Sequence, residues 1–405
     1  MNLADGHVAV VDLGYGDAGK GTVVDALCAS GPVTAVIRFN GGAQAAHNVV
    51  TPAGRHHTFA QFGAGTLHGV PTHLSRFTVV DPLALAAEAA ALGNPFHLLT
   101  VDGDALLATP WHRAANRARE RQRGGARHGS CGMGIGQTME YALSHPDAPR
   151  VADVRSPSRL RARLAAVRDA LGPFDDAPPL EDVVDAFLAF GRVVSIVDSS
   201  HLDRLLAQGR CVFEGAQGVL LDEWRGWHPY TTWSTTTFAN VAAMCDSFVR
   251  LGVVRTYTTR HGAGPFVTET PLDLPEAHNG VGEWQGAFRV GHFDAVAHRY
   301  AVEVAGGVDA LAVTHLDAPP REPGLRICTS YELDGARWEH LRPGPPEDLA
   351  YQSALTTLLG RARPGDLERP DDWPARIGEL LDAPVLLESH GPRSTDKRFR
   401  LPALR

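Results

Sequence analysis

Cysteine is scarce in this sequence, and its few cysteines lie far apart. They number five, an odd count, and none of their spacings is typical of a zinc site (Cys28, Cys131, Cys211, Cys245 and Cys328). A disulfide-stapled secreted fold and a cysteine-based metal site are therefore disfavoured. A reducing cytoplasm is the simplest expectation for such a chain.

Long apolar runs and an excess of basic residues are also missing. No run is long enough to span a bilayer, and Met1–Ala9 lacks the basic and apolar segments of a signal peptide. Lys and Arg number 38 against 46 Asp and Glu, a formal net charge of −8, so we expect no nucleic-acid or membrane partner. The 405 residues, 44% of them hydrophobic, suffice for one large α/β domain or two smaller ones.

Glycine, by contrast, is abundant, and several glycines follow directly on apolar runs. Val8–Leu13 predicts a buried strand, Gly14–Gly21 contains four glycines, and Thr22–Cys28 resumes helical spacing. A strand, a glycine-rich turn and a helix together point backbone N–H groups at phosphate oxygens. The loop is P-loop-like, except that glycine stands where the P-loop has a serine or threonine hydroxyl.

An acid inside this loop, Asp17, indicates chemistry beyond phosphate binding. A carboxylate among phosphate-binding amides is costly unless a metal ion or a proton transfer uses it. The alternative is an ordinary glycine-rich turn with a solvated aspartate. The loop pattern around Lys20 favours the functional interpretation.

Several segments, in order along the chain, resemble the adenylosuccinate synthetase family. GYGDAGKGTVVD at 14–25 resembles the family's G-D-E-G-K-G-K-x-V-D, and NGGAQAAHN at 40–48 resembles x-G-G-x-N-A-G-H-T. Phe213–Gly218 and Leu220–Asp222 match F-E-G-A-Q-G and L-L-D residue for residue, and Tyr257–Glu269 resembles Y-x-T-R-V-G-x-G-P-F-P-T-E. In that family GTP phosphorylates a purine 6-oxygen, and the amino group of aspartate then displaces the phosphate.

The resemblance implies roles for the residues that match these motifs. Catalytic roles fall on Asp17, Lys20, His47 and Gln217. A lone histidine is more often structural, but two preceding glycines and the family match favour a catalytic His47. Nucleotide phosphates would be bound by Gly16, Gly19, Lys20, Gly21 and Thr22. Mg²⁺ would be held by the Asp17 carboxylate and the Ala46 carbonyl.

The same resemblance implies three substrate subsites. The purine substrate would contact Gln44, Ser130, Cys131, Gln217, Thr232 and Arg260. The guanine of GTP would contact His315, Asp317, Ser389 and Gly391. The amino-acid substrate would contact Arg289 and Gln285.

Some positions depart from the family pattern. Met133 replaces an arginine in the glycine loop GSCGMGIG, and Trp233 replaces a serine. Gly282–Asp294, GEWQGAFRVGHFD, retains only Arg289 of a loop whose arginines grip the two carboxylates of aspartate. Arginine suits that task because its planar donors match a carboxylate bidentately. His315 replaces the lysine of the guanine-reading motif, so both GTP and ATP are open as the energy donor.

The expected fold is one three-layer α/β domain over residues 1–405. It has a central, mostly parallel sheet, a P-loop-like glycine-rich phosphate loop and helical lobes. A helical subdomain is expected at about 105–210 and a peripheral C-terminal lobe at about 328–380. The family implies a homodimer that acts on small molecules: a purine nucleotide, an amino acid and a nucleoside triphosphate.

Three functions stay open at this point. The first is adenylosuccinate synthesis from IMP, aspartate and GTP. The second is a specialised ligase with a changed acceptor or amine, such as a 2-amino-6-oxopurine nucleotide giving 2-aminoadenylosuccinate, or nucleoside natural-product biosynthesis. The third is a non-catalytic nucleotide-binding relative, which the intact Asp17, Lys20 and His47 oppose. The sequence does not select the amine, the acceptor or the triphosphate.

Overall fold

The computed structural model of the protein describes residues 6–274 and 280–400. The first five residues of the Met1–Ala9 segment lie outside those ranges. The strands within them are β1 Val8–Asp12, β2 Ala35–Arg38, β3 His47–Val50, β4 His56–Phe59, β5 Thr72–Leu74, β6 Val79–Val80, β7 Leu99–Asp102, β8 Leu106–Leu107, β9 Ser195–Val197, β10 Cys211–Glu214, β11 Val249–Arg255, β12 Tyr257–His261, β13 Phe288–Asp294, β14 Ala310–Thr314, β15 Ile327–Cys328, β16 Tyr331–Leu333, β17 Ala336–Trp338, β18 Arg363–Pro364, β19 Leu367–Glu368, β20 Val385–Ser389 and β21 Lys397–Phe399. The α-helices are α1 Lys20–Ala29, α2 Pro82–Leu92, α3 Pro110–Arg123, α4 Ile135–Ser144, α5 Pro157–Leu171, α6 Leu180–Val193, α7 Ser200–Gln208, α8 Ala239–Ala242, α9 Ala295–Val304, α10 Ala318–Arg321, α11 Leu349–Leu359 and α12 Trp373–Leu380.

A ten-stranded sheet forms the centre of the fold. Its strand order is β21-β20-β14-β11-β1-β10-β2-β5-β7-β9, and every neighbouring pair is parallel except β20 and β21. Smaller sheets flank it, among them β12-β13-β15-β19 and β17-β16-β18. The predicted α/β class with a mostly parallel central sheet is confirmed.

The strand β1 shows why the sheet has a packed layer on each face. All five of its residues are buried, and successive side chains of a strand point to opposite faces. Val8 and Val10 belong to one apolar cluster, whereas Ala9 and Val11 belong to the other. A strand buried on both faces therefore appears in the sequence as a continuous apolar run.

Local sequence signals set the ends of two helices near the site. The helix α2 has Pro82 in its first turn and Asp81 as its N-cap. The helix α3 ends at Arg123 because two glycines follow it. In the part of the chain that the structure describes, no helix combines the length and apolarity that a membrane crossing needs.

The sheet topology decides where a ligand can bind. The strands β1, β2, β10 and β14 run parallel within one sheet, so their carboxyl ends lie along one edge. Each is followed by a segment singled out in the sequence, three of them glycine-rich. In open α/β sheets ligands bind at this edge. The predicted site residues of these segments are thereby placed on one side of the molecule.

Candidate active site

The glycine-rich loop after β1 adopts backbone conformations that most residues avoid. Gly16 and Gly19 each have a φ of 92°, and Asp17 has a φ of 59°. Gly19 is the N-cap of α1, so the helix begins at Lys20, two residues earlier than predicted. The first-turn N–H groups of α1 lack intrahelical partners, which makes this end a suitable phosphate site.

Asp12, a residue without a predicted role, organises this loop. Its carboxylate accepts hydrogen bonds from the N–H groups of Gly14 and Ala18, both at 2.8 Å, and from Lys20 Nζ at 3.1 Å. Asp12 and Lys20 are both buried. The sequence signal that could have found it is an acid as the last residue of a strand before a glycine loop.

We predict that Asp12→Asn lowers the free energy of unfolding by about 3–5 kcal/mol, because Lys20 would keep a buried charge without its counterion. Urea denaturation measures this. In a Lys20→Met background the charge is gone, so the same substitution should cost much less. Equal costs in the two backgrounds would contradict the proposed pairing.

The carboxylate of Asp17 faces His261, a second residue without a predicted role. Asp17 Oδ2 lies 3.4 Å from His261 Nε2, and Arg255 Nη1 donates to the Asp17 carbonyl oxygen at 3.1 Å. Burial alone would raise the pKa of Asp17, but the hydrogen bond and charge of His261, together with Lys20 and Arg255, lower it. Asp17 is therefore a carboxylate at neutral pH. The sequence contained a signal that could have singled out His261, because the family pattern has valine at that position.

His47 is held by a buried glutamate. Its Nδ1 lies 2.6 Å from Glu214 Oε1, and Glu214 Oε2 accepts from the N–H of Ala64 at 2.9 Å. Burial lowers the pKa of His47, against the opposing effect of Glu214. Burial would raise the pKa of Glu214, but Arg38 and His47 together lower it. With Nδ1 directed at Glu214, the imidazole leaves Nε2 for a ligand.

The position of His47 explains a glycine of the phosphate loop. A Cβ atom added at Gly21 would lie 2.7 Å from His47 Cβ. Gly21, in the first turn of α1, is thus needed for close packing of the helix against β3. The substitution of the P-loop hydroxyl by glycine follows from this contact.

Two half-buried glutamines, Gln44 and Gln217, place buried amide atoms without hydrogen-bond partners at neighbouring glycines. Both amide atoms of Gln44 and Oε1 of Gln217 lack hydrogen-bond partners among the described residues. A Cβ added at Gly41 would be 3.3 Å from Gln217 Oε1, and one added at Gly42 would be 3.2 Å from Gln44 Oε1. Buried polar atoms without partners are rare in native proteins. A polar ligand with donors and acceptors would satisfy them.

Several of the other predicted purine contacts already form hydrogen bonds with protein groups. Ser130 Oγ donates to Asn116 Oδ1 at 2.9 Å, and the backbone N–H of Thr232 donates to Leu221 O at 2.8 Å. Burial raises the pKa of the Cys131 thiol, which is therefore neutral. The guanidinium of Arg260 donates to three backbone carbonyls and stacks on Tyr15, 4.4 Å from the ring centroid. Arg260 thus shapes its loop.

The residues predicted to contact the guanine lie at the ends of β14 and β20. The N–H of Leu316 donates to Ser389 O at 3.0 Å, which joins the two segments. Asp317 pairs with Arg321 at 3.4 Å, and Ser389 Oγ donates to Gly391 O at 3.2 Å. The segment also contacts the phosphate loop, because Thr22 Oγ1 donates to Pro392 O at 2.7 Å. Burial lowers the pKa of His315 well below its usual value, so this side chain is a neutral replacement for lysine.

The predicted amino-acid subsite lies in the hairpin of β12 and β13. Arg289 forms a two-pronged ion pair with Glu269, and its Nη1 donates to Gly262 O at 2.9 Å and Gly264 O at 3.0 Å. The one arginine kept in this segment is therefore already neutralised. The backbone oxygen of Gln285 lies near Gly262, 2.3 Å from the position of an added Cβ. Phe288 pairs across the hairpin with His261, and their ring centroids are 4.9 Å apart.

The donor set for Mg²⁺ consists of oxygens. Within residues 6–274 and 280–400, no group of three or more His, Cys, Asp or Glu side chains could hold a metal ion. That finding suits an ion bound mainly by nucleotide phosphates and water with one or two protein oxygens. The ionised carboxylate of Asp17 and the exposed Ala46 backbone fit such a role.

Comparisons with known proteins give one family, and the matches extend over nearly the whole chain. A sequence model described as adenylosuccinate synthetase matches residues 9–392. Among the similar curated proteins, adenylosuccinate synthetases of two Synechococcus strains, RCC307 and WH7803, are 33% and 34% identical; each alignment covers 95% of this chain and 94% of the relative.

Two solved structures resemble the fold. Fully ligated adenylosuccinate synthetase from Plasmodium falciparum aligns with a TM-score of 0.83 at 20% identity, over 98% of this chain and 100% of that one. Succinoaminodeoxyadenylate synthetase (PurZ) of cyanophage S-2L, bound to dGMP and dATP as an energy donor, aligns with a TM-score of 0.64 at 21% identity. It covers 98% of this chain and 95% of its own. At these identities the structures show the fold.

Proposed function

The chain belongs to the adenylosuccinate synthetase family, and from that premise we propose how its residues perform the family's reaction. It is a ligase that forms a carbon–nitrogen bond between a purine and an amine, and it acts on small molecules with GTP and Mg²⁺. The observation that carries the proposed mechanism is the Asp17 carboxylate in the phosphate loop, 3.4 Å from His261 Nε2, together with a His47 imidazole held by Glu214 at 2.6 Å.

Asp17 acts as the general base. Its carboxylate takes the N1 proton of a 6-oxopurine, and the released electron pair makes O6 the nucleophile toward the γ-phosphorus of the triphosphate. An O6–phosphorus bond forms while the bond to the bridging oxygen breaks, which releases the nucleoside diphosphate. The amine then attacks C6 and phosphate leaves. The lowered pKa of Asp17 keeps it in the form that accepts this proton.

His47 and Lys20 stabilise the charge that moves in these steps. Lys20 Nζ and the N–H groups of the loop bind the γ-phosphate. The ion pair with Asp12 holds the ammonium group of Lys20 in position for this role. In the free protein burial favours neutral His47. The negative charge of the bound polyphosphate favours the imidazolium, which Glu214 also stabilises, so Nε2 donates toward the oxygens.

Gln217 and Gln44 orient the purine. Their unsatisfied amides provide donors and acceptors for the 6-oxygen, the ring nitrogens and the substrate's polar groups. The Asp17 carboxylate and the Ala46 carbonyl would hold Mg²⁺, which would supply positive charge to compensate the phosphates.

A changed amine or acceptor is the second candidate function, because a specific contact favours it. Arg289, the arginine kept for the amino-acid carboxylates, is occupied by Glu269. Aspartate would have to compete with that ion pair. The PurZ relative is described with dGMP and dATP, so a guanine nucleotide as acceptor and ATP as donor are the specific alternatives to test.

Product analysis by mass spectrometry tests the function. The purified protein with Mg²⁺ receives IMP or dGMP, aspartate, and GTP or ATP in all combinations. We expect adenylosuccinate from IMP with GTP. An aminosuccinyl product from dGMP alone would assign the specialised function. No product in any combination, with GTP still bound, would contradict aspartate as the amine.

Three further properties are proposed from the family. The protein works in the cytoplasm, as its five free cysteines favour. It is a homodimer, to be tested by light scattering. The chain is one domain, with a helical subdomain at about 105–210 and a C-terminal lobe at about 328–380, which limited proteolysis would test.

A further inference from the structure

The arginines of α3 fall into two groups. Three are ion-paired with carboxylates: Arg113 with Asp81, Arg119 with Glu140 and Arg123 with Glu120. The other two, with Arg127 just beyond the helix, form no ion pair with any carboxylate in the described ranges, and they form the arginine cluster: Arg117, Arg121 and Arg127. Three unneutralised guanidinium groups repel one another unless something else compensates their charge.

All three guanidinium groups of the arginine cluster surround one indole. Their Cζ atoms lie 5.5, 5.2 and 5.9 Å from the ring centroid of Trp284. A guanidinium near an aromatic ring keeps N–H groups on its edge that can still bind an anion. Nε of Arg127 is buried without a hydrogen-bond partner among the described residues. Glu283, beside Trp284, is exposed and forms no described ion pair with the cluster.

The arginine cluster is joined to the glycine loop 129–134. Arg117 Nε donates to Gly132 O at 3.2 Å, and the neighbouring Asn116 accepts from the N–H of Gly134 at 3.2 Å. A Cβ at Gly132 would lie 2.8 Å from Trp284 Cγ, so this loop packs directly on the indole. The loop leads into α4, whose first-turn N–H groups also attract anions.

The same loop connects the cluster with the reacting groups. A Cβ at Gly129 would lie 3.7 Å from Gly262 Cα, and Gly262 directly follows His261, the partner of Asp17. The glycine loop therefore links the arginine cluster to the strand that carries His261, so an anion bound by the cluster would lie on the same side of the molecule as the reacting groups. At position 133 of this loop the family has an arginine. This chain has a methionine there, and its side chain packs against the apolar core.

We propose that Arg117, Arg121 and Arg127 form a subsite for the phosphate monoester of the purine substrate, an inference that rests on the proposed function. The charge is supplied from α3 of the same chain. A phosphate dianion is opposite in charge to the three guanidinium groups, and its oxygens accept the hydrogen bonds that those groups donate. The same chemistry could receive a dicarboxylate amine, and the experiment separates the two ligands.

The test compares a nucleotide with its nucleoside. Arg117→Gln, Arg121→Gln and Arg127→Gln are assayed with IMP and with inosine, or with dGMP and deoxyguanosine if dGMP proves to be the acceptor. Each variant should lower kcat/KM for the nucleotide about tenfold and leave the nucleoside value unchanged, because only the nucleotide has the phosphate. Arg119→Gln on the same helix and Arg161→Gln on α5 are the matched controls, because each arginine is ion-paired with an exposed carboxylate, and both variants should behave as wild type.

Four outcomes overturn the proposal. These are equal losses with nucleotide and nucleoside, a loss in the control variants, a rise in KM for aspartate alone, or a wild type that does not distinguish nucleotide from nucleoside. Calorimetric titration of the same ligands gives a second readout that needs no turnover. If wild type makes no product but binds IMP tighter than inosine, and only the cluster variants lose that difference, the proposed function fails while the phosphate subsite stands.

Discussion

Asp17→Asn should lower kcat about 1,000-fold, within the range that a general base contributes. The amide has nearly the same shape as the carboxylate but cannot take the N1 proton, so the purine O6 is not activated. Loop conformation should persist, because the backbone carbonyl of Asp17 keeps its bond from Arg255 at 3.1 Å. The measurement is steady-state product formation, with calorimetric titration of GTP and the purine nucleotide.

Binding separates chemistry from folding in this experiment. We expect the variant to bind both nucleotides within a few-fold of wild type, since the loop N–H groups and Lys20 are intact. Residual turnover above about 10% of wild type would reject Asp17 as the base, because loss of a general base costs far more. Loss of GTP binding would show that the main role of Asp17 is to hold the nucleotide and Mg²⁺ rather than to take the proton.

His47→Ala should lower kcat about 100- to 1,000-fold, and Glu214→Gln should cause a smaller loss, about tenfold or more. Glu214 acts on the reaction through His47, which it contacts at 2.6 Å. Glutamine keeps a hydrogen-bond acceptor but removes the charge that stabilises the imidazolium. Because the two residues act as a unit, the double variant should resemble His47→Ala alone.

The matched control is His56→Gln, an exposed histidine on β4 of the same hairpin. It should retain wild-type turnover. Additive losses in the double variant would show that Glu214 acts independently of His47. Thermal unfolding of all variants identifies any loss that comes from the buried Glu214 rather than from catalysis.

Local patterns in the sequence were sufficient to predict the strand and the glycine-rich turn of the phosphate loop. The strand, the glycines and Asp17 are consecutive, so their geometry follows from backbone preferences within one short segment. The mostly parallel sheet was expected from the family resemblance, and the continuous apolar run of β1 agrees with it. Helix ends were predicted less well, as α1 shows, since a left-handed N-cap at Gly19 moved its start.

Contacts between distant segments could not be predicted in this way. Asp12 is visible as a strand-ending acid, yet nothing local indicates that it holds Lys20. The aromatic substitution at Trp284 looked like the loss of an arginine loop, whereas the structure surrounds it with arginines from α3. A substitution removes a contact in one element, but only the packing shows what another element supplies.

The sequence by itself determined the family and the order of the glycine loops, because both depend on motifs of neighbouring residues. The tertiary structure decided how the residues proposed to react are held and how their charges are tuned. His47 and Glu214 are 167 positions apart in the chain, and their pairing exists only because β3 follows β2, which lies beside β10 in the sheet. Burial and charge then shift their pKa values, and both act through space rather than along the chain.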